Sequence, residues 1–357
     1  MSALLTQTAR RTLAALAALA AIGLASCQGG QPAPTPTASP TGSKAAAATP
    51  SPAENGTAER AAAAAAWLAQ NLAEGSHAQY EYDGDMWSDA GLTIDAMWAL
   101  VAAGDLAAAG RAGAWLAERQ NAIDYAGDGE QAAYPSAMGK LALAYLTPGV
   151  EVAPGHLSAE QLADAVAARL APEGRFRDIS EWGDNSTPTG QAFDIMLLVK
   201  LGRLDRLSAD SVAGLIGVGC EDGSYPIMFD TDPPCVGDVD TTAVVAQALL
   251  AAGQAQAAER AFAYLVEAQT ASGRWQSFGA DSVNSTALAV SALSCLDSAQ
   301  AKDAAALGLQ ALRDWQLPGS SAFPAADGVE GDLRATAQAI LGLTGASYLE
   351  LLAIPAP

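Results

Sequence analysis

The sequence predicts an all-α chain: an (α/α)6 toroid of six inner and six outer helices, placed behind an export signal and an extended linker. Three observations carry that expectation. First, Thr93 to Leu100, Thr242 to Leu249 and Thr286 to Leu293 each put Ala-Leu six and seven residues after a Thr, and weaker copies start at Ser136, Thr189 and Thr336. Units repeated at such a period bury their apolar faces by stacking on one another. Second, six amphipathic segments alternate with these apolar helices, near residues 59–73, 105–120, 158–170, 208–218, 255–269 and 301–315. Helices apolar all round belong inside, and those with one charged face, such as Glu259 with Arg260 or Arg313 with Asp314, belong outside. Third, the loops from outer to inner helix repeat as Gly174-Arg175-Phe176, Gly223-Ser224-Tyr225 and Gly273-Arg274-Trp275, with looser versions at Gly84 to Trp87 and Gly319 to Phe323. A glycine that ends a helix in the left-handed conformation, followed by an aromatic packed over that end, accounts for the pattern. An open solenoid has the same periodicity; six pairs that use up the chain favour closure.

In chain order, residues 1–26 carry Arg10 and Arg11 ahead of an apolar run from Leu13 to Leu24, which is too short to span a membrane and fits a secretory signal. Leu24-Ala25-Ser26-Cys27 resembles the lipobox of bacterial lipoproteins. That resemblance implies cleavage before Cys27, lipid on its sulfur and new amino terminus, and a membrane partner through that anchor on the extracytoplasmic face. Residues 27–57 then hold the lipidated cysteine and a linker of Pro, Ala, Thr and Ser, a composition that stays extended because it has nothing to bury. Residues 58–357 hold the toroid.

With 18 basic and 39 acidic residues the chain carries a net charge of −21, which argues against nucleic acid as a partner. The 50% hydrophobic content supplies a core. His77 and His156 lie far apart and the four cysteines form no C-x-x-C pair, so no metal site of the usual nitrogen and sulfur kind is expected, and no cofactor. Cys220 and Cys235 bracket the loop before the fourth inner helix and could form a disulfide worth on the order of 3 kcal/mol by loop entropy. Cys295 reads as a small buried hydrophobe.

Gln269-Thr270-Ala271-Ser272-Gly273-Arg274-Trp275 is Q-x-x-x-G-x-W. With the Thr-x-x-x-x-x-Ala-Leu helices it resembles the prenyltransferase and squalene cyclase repeat superfamily, over about residues 58 to 350. The resemblance implies the toroid and leaves the function open, because the superfamily holds terpenoid cyclases, prenyltransferase subunits, thioester domains and cobalamin carriers. Asp238-Val239-Asp240-Thr241 resembles the D-x-D-D acid motif of class II cyclases except that Thr241 replaces the last Asp. On that resemblance Asp240 would be the proton donor and Asp238 its partner. The chemistry needs a carboxylic acid kept protonated beside an alkene. Acids also precede Thr189, Thr286 and Thr336, which equally fits helix capping. The cobalamin carriers imply a corrinoid as one possible ligand, although they close over it with a second, β-rich domain.

Inner helices in a ring of hairpins run parallel, so their amino ends and the loops before them gather at one mouth. Trp87, Tyr225 and Trp275 in those loops are candidate ligand contacts, since aromatics beside acids suit a ligand with a flat apolar face and polar groups. Asp95 and Trp98, three residues apart on the first inner helix, share a face that points toward the lumen. Asp194 is a second acid on an apolar inner helix, and Lys140 is a possible partner for either. The leading reading is a tethered, non-enzymatic binding module. The alternative is an enzyme, either an acid catalyst through Asp240 or a glycan-active enzyme with paired carboxylates.

Overall fold

A computed structural model describes residues 52–355 except 204–208, 231–232 and 326–327. The signal segment, Cys27 and most of the linker lie outside the described residues. In order, the elements are α1 (Pro52–Asn71), β1 (Ala78–Tyr82), β2 (Asp85–Asp89), α2 (Ala90–Ala102), α3 (Leu106–Ala117), α4 (Arg119–Ala126) and α5 (Pro135–Tyr145). Next come α6 (Ala159–Ala167), α7 (Pro188–Lys200), α8 (Ala209–Gly217), α9 (Val239–Ala251) and α10 (Ala255–Glu267). The chain ends with β3 (Gln276–Ser277), β4 (Ala280–Asp281), α11 (Val283–Leu293), α12 (Ala299–Trp315), α13 (Leu333–Thr344) and α14 (Tyr348–Leu351).

Two rings result. Helices α2, α5, α7, α9, α11 and α13 pack each on the next, and α13 returns to α2, so the inner ring is closed. Outer helices α3, α6, α8, α10 and α12 each pack on the inner helix they follow, and α1 packs on α13. The first outer helix therefore covers the last inner one, which an open solenoid cannot do. A reciprocal pair fastens that join: Arg60 Nη1 donates to Gln316 Oε1 at 3.0 Å, and Gln316 Nε2 donates to the Arg60 carbonyl at 3.0 Å. Helix α1 starts at Pro52, so residues 52–57, expected in the linker, are helical. The two hairpins, β1–β2 and β3–β4, and the short helices α4 and α14 were not foreseen.

The repeated threonine is a clasp between each mouth loop and its inner helix. Thr93, Thr242, Thr286 and Thr336 each accept from a loop backbone amide, of Ala78, Tyr225, Trp275 and Phe323, at 2.9–3.0 Å. In the third repeat Gln191 Oε1 takes that place, receiving the Phe176 amide at 3.3 Å. Thr189 and Ser136 thus sit two residues away from the clasp position and are not its copies. Thr286→Val keeps the shape and leaves the buried Trp275 amide without an acceptor, so it is expected to cost about 1.5 kcal/mol. Denaturant unfolding of the variant checks this, and an unchanged midpoint would show the clasp to be idle.

The loop glycines owe their place to close approach as well as to handedness. Gly174 and Gly223 have φ of +86° and +91°, and a Cβ there would lie 2.0 Å and 2.5 Å from carbonyl oxygens of the next outer helix, those of Asp210 and Arg260. The aromatics that follow are packing residues. Phe176, Trp275 and Phe323 are at most 1% exposed. The copy expected at Gly84 to Trp87 is instead the tip of the β1–β2 hairpin; the clasp to Thr93 places the first repeat's copy at Gly75 to Ala78.

The far end of the ring is plugged by the segment around α14. The Tyr348 amide donates to Gln247 Oε1 at 2.8 Å, Ser291 Oγ donates to the Ala346 carbonyl at 2.7 Å, and Lys200 Nζ donates to the Leu352 carbonyl. Three inner helices are tied to it. Cys220 and Cys235 are joined in a disulfide, and Cys295 is free and half-buried.

Candidate functional site

The shape of the lumen follows from helical register. The residues that precede the first turn of the inner helices are Asp89, Tyr134, Thr187, Asp238, Ser282 and Asp332. Positions two, six and nine beyond each lie on one helix face. The first layer, Gly91, Ser136, Thr189, Asp240, Asn284 and Arg334, is half-buried throughout. In the second layer Lys140 and Gln338 are half-buried, while Asp95, Phe193, Val244 and Leu288 keep only 3–6% exposure. The third layer, including Trp98, Leu143, Met196 and Gln247, is at most 1% exposed. The mouth is thus a basin with a polar rim and an apolar floor. Four residues of helix separate rim from second layer, an axial spacing of about 6 Å.

Three rings seal the floor. Trp98 lies 5.7 Å from Phe193 and 5.5 Å from Tyr348, and Phe193 lies 5.4 Å from Tyr348. The Trp98 indole donates to Thr147 Oγ1 at 3.0 Å. Above the rings, Lys140 Nζ lies 2.6 Å from Asp95 Oδ1, donates to the Gly91 carbonyl at 3.1 Å, and stands 5.7 Å from the Trp98 and Phe193 ring centres. Arg334 reaches Asp89 at 3.1 Å and Asp95 at 3.7 Å. These contacts cross from one inner helix to the next near their amino ends, which confirms that the helices run parallel.

Asp238 and Asp240 differ sharply. Asp238 Oδ1 caps α9, accepting the Thr241 amide at 2.7 Å. Asp240 caps nothing: its Oδ1 is buried without a hydrogen-bond partner, although the residue as a whole keeps some exposure at the rim. Burial, and next the Asp238 carboxylate, push its pKa up to about 7, with the Ser285 hydroxyl pulling the other way. Asp240 is therefore an acid that changes charge near neutrality at the edge of an accessible basin.

Asp194 is a separate case. It is fully buried, neither carboxylate oxygen has a partner, and it does not meet Lys140, which is taken by Asp95. Oδ1 lies 2.1 Å from where a Cβ on Gly139 would stand, so the carboxyl is wedged between α7 and α5. Burial first, and then Asp178, hold its pKa well above the usual carboxylate range. Such a group favours its protonated form and faces the helix interface, not the basin.

Comparison with solved structures fixes the architecture. The chain is similar to an arginine-to-alanine variant of the type II terpene cyclase MstE from Scytonema, in complex with its substrate geranylgeranyl dihydroxybenzoate, with a TM-score of 0.61, at 18% identity, covering 82% of this chain and 98% of that one. The fold is a terpenoid cyclase-like α/α toroid. It is also similar to the unsaturated glucuronyl hydrolase of Bacillus sp. GL1, with a TM-score of 0.55 at 14% identity over 81% and 96% of the two chains, and to a polysaccharide lyase, with a TM-score of 0.56 at 12% identity over 82% and 97%. Neither a scan of protein-family profiles nor a search of curated proteins found a match.

Of the sequence-derived candidates, the toroid brings Asp95 and Asp240 to the basin and Trp98 to its floor. Trp275 is fully buried with its indole donating to the Leu265 carbonyl at 2.6 Å, and Tyr225 is 4% exposed, so both are packing residues and not mouth contacts. The same loop signal that marked them serves to cover a helix end. Trp87 sits on β2 opposite Tyr80, with its indole nitrogen buried and unpartnered. Ser136, Thr189, Asn284, Arg334 and Gln338 were missed as site residues. Their signal was the shared spacing from each helix start.

Proposed function

We propose that this chain is an exported, lipid-tethered toroid whose mouth basin binds a single saccharide ring. The observation that carries the reading is the lining of the mouth: half-buried hydroxyl, carboxyl, amide and guanidinium groups from Ser136, Thr189, Asp240, Asn284 and Arg334, one layer of about 6 Å above the next, around an apolar floor. The Asn284 amide has no hydrogen-bond partner among the described residues, and Asp240 Oδ1 and Gln338 Oε1 are buried and unpartnered. Hydroxyl groups of a sugar would satisfy them. A long isoprenoid folded into the lumen, as in a cyclase, would have to displace Trp98, Phe193 and Tyr348. The glucuronyl hydrolase is described as responsible for glycosaminoglycan degradation, which supports a glycan reading for this fold. The tether at Cys27 rests on the sequence alone.

Thermal-shift measurement against glycans, peptidoglycan fragments, corrinoids and isoprenoid alcohols tests the reading. A glycan at a hundredfold excess over its dissociation constant should stabilise the protein by about 2.7 kcal/mol. Asn284→Leu should abolish that shift. A shift with isoprenoid alcohols alone would overturn the saccharide reading and favour the cyclase one.

Asp240 favours a second reading, in which the same basin protonates its ligand. An acid with a pKa of about 7 is matched to general-acid work at neutral pH. Asp240→Asn should then retain binding and lose turnover of the bound glycan by at least about a hundredfold. Equal turnover in the variant would leave binding as the whole function.

A further inference from the structure

The charged groups around the basin are unequally matched. Toward α13, α2 and α5 each cation is already held: Lys140 lies 2.6 Å from Asp95 and donates to the Gly91 carbonyl, and Arg334 lies 3.1 Å from Asp89 and 3.7 Å from Asp95. Those two cations and two acids cancel. Asp240, on α9, has no such match. Its Oδ1 is buried without a partner, and the carboxyl forms no ion pair among the described residues.

The surroundings of Asp240 add to the imbalance. The neighbouring Asp238 brings a second negative charge while its Oδ1 caps α9. The Ser285 hydroxyl, fully buried on α11, favours the ionised form of Asp240. Asp240 also shares its space with the matched network: Tyr348, in the floor, has its pKa raised by burial first and then by Asp95 and Asp240. Helices α2 and α9 stand opposite each other in the ring of six, so the two acids act on one floor ring from opposite sides. A carboxylate so placed needs hydrogen-bond donors and a positive charge. A sugar hydroxyl offers one donor and no charge, whereas an ammonium offers three donors and the charge. A carboxylate on the ligand would be repelled by Asp238 and Asp240. Among the described residues no three Asp, Glu, His or Cys side chains could hold a metal ion.

We propose that the saccharide bound in the basin is an amino sugar whose free ammonium pairs with Asp240. The inference rests on the saccharide reading and adds the charge of the ligand and the residue that selects it. An acetylated amine has one N–H and no charge, so the basin distinguishes the amine from its amide. Asp240 stays ionised beside the ammonium, so the pairing accompanies binding and not proton donation by Asp240.

Calorimetric titration of the whole protein with glucose, galactose and mannose, each as the free amine, the acetamide and the parent sugar, tests this. In the series that binds, the amine should bind at least about tenfold more tightly than its acetamide or its parent sugar. Asp240→Asn should remove that preference and Asp240→Glu should keep part of it. Asp303→Asn, which removes an exposed charge from the outer helix α12, should leave the preference intact. The free Asp240 carboxyl has a pKa of about 7, so at pH 6 the amine should expel a proton as it binds. Its affinity should fall by up to about tenfold per pH unit on the acid side of that value, and Asp240→Asn should show neither effect. Equal affinity of amine and parent sugar, a preference that survives Asp240→Asn, or ethylamine bound as tightly as the amino sugar would each overturn the amine and leave the saccharide reading standing. No binding in any series would overturn the saccharide reading itself, and this inference with it.

Discussion

Raising the pH from 4 to 8 should destabilise the toroid, and Asp194→Asn should remove much of that dependence. In the unfolded chain the Asp194 carboxyl has an ordinary pKa near 3.8, while in the folded chain burial raises it far above that. Above pH 4 the unfolded state has therefore lost a proton that the native state keeps, and unfolding releases it. Stability from this group is fully present below the unfolded value and is lost, at up to about 1.4 kcal/mol per pH unit, until pH passes the folded value. Asp178, pushed to about 6 chiefly by burial, and Asp240, at about 7, act in the same direction over shorter windows. Both keep some exposure, so solvent screens their share. The repulsion within a chain of net charge −21 also grows with pH, so the wild-type slope alone decides nothing. The comparison with Asp194→Asn does. Chemical denaturation at several pH values should show the variant near the wild type at pH 5 and more stable at pH 8. Parallel curves would mean that Asp194 ionises freely and that its burial is relieved by movement of α5 and α7.

The ring was legible because its physics is local. A helix of Thr, Ala and Leu with no charged face has to be inside, and one with Glu259 and Arg260 on one side has to be outside. The threonine clasp was visible as a repeat without its purpose, and two copies were misplaced because Gln191 does the clasp's work in the third repeat and Met138, which has no oxygen to accept with, holds the position in the second. The site was less legible. Asp95 and Lys140 stood out as charges on apolar helices, and they do pair. Asn284, Arg334 and Gln338 look like ordinary polar positions until the ring fixes which face of each helix looks inward. Burial of Trp275 was hidden because a loop aromatic that covers a helix end and one that meets a ligand have the same sequence. Asp240 illustrates the opposite case. Its neighbour Asp238 takes the cap, and Asp240 Oδ1 is left buried without a partner, a distinction that lies in the geometry of a single helical turn.

Gly139→Ala should destabilise the domain by about 2 kcal/mol, through its contact with the buried Asp194. A Cβ at residue 139 would lie 2.1 Å from Asp194 Oδ1, 3.1 Å from its Cγ and 3.2 Å from its Cα. Rotating the carboxyl away relieves the first contact but not the last, and Asp194 has no exposed side to rotate into. Helices α5 and α7 must separate, an overpacking cost of about 3 kcal/mol. Alanine repays about 1 kcal/mol of it through its higher helix propensity. The double variant Gly139→Ala with Asp194→Ala isolates the cause. Removing the carboxyl opens the space the new methyl needs, so the double variant should be more stable than Gly139→Ala alone, with a coupling of about 1–3 kcal/mol. It should also lack the part of the pH dependence that Asp194 supplies. Costs that simply add, with no coupling, would show that Gly139 serves the backbone of α5 and not the wedge of Asp194. Coupling together with a flattened pH curve would tie both effects to one buried acid, wedged between α5 and α7.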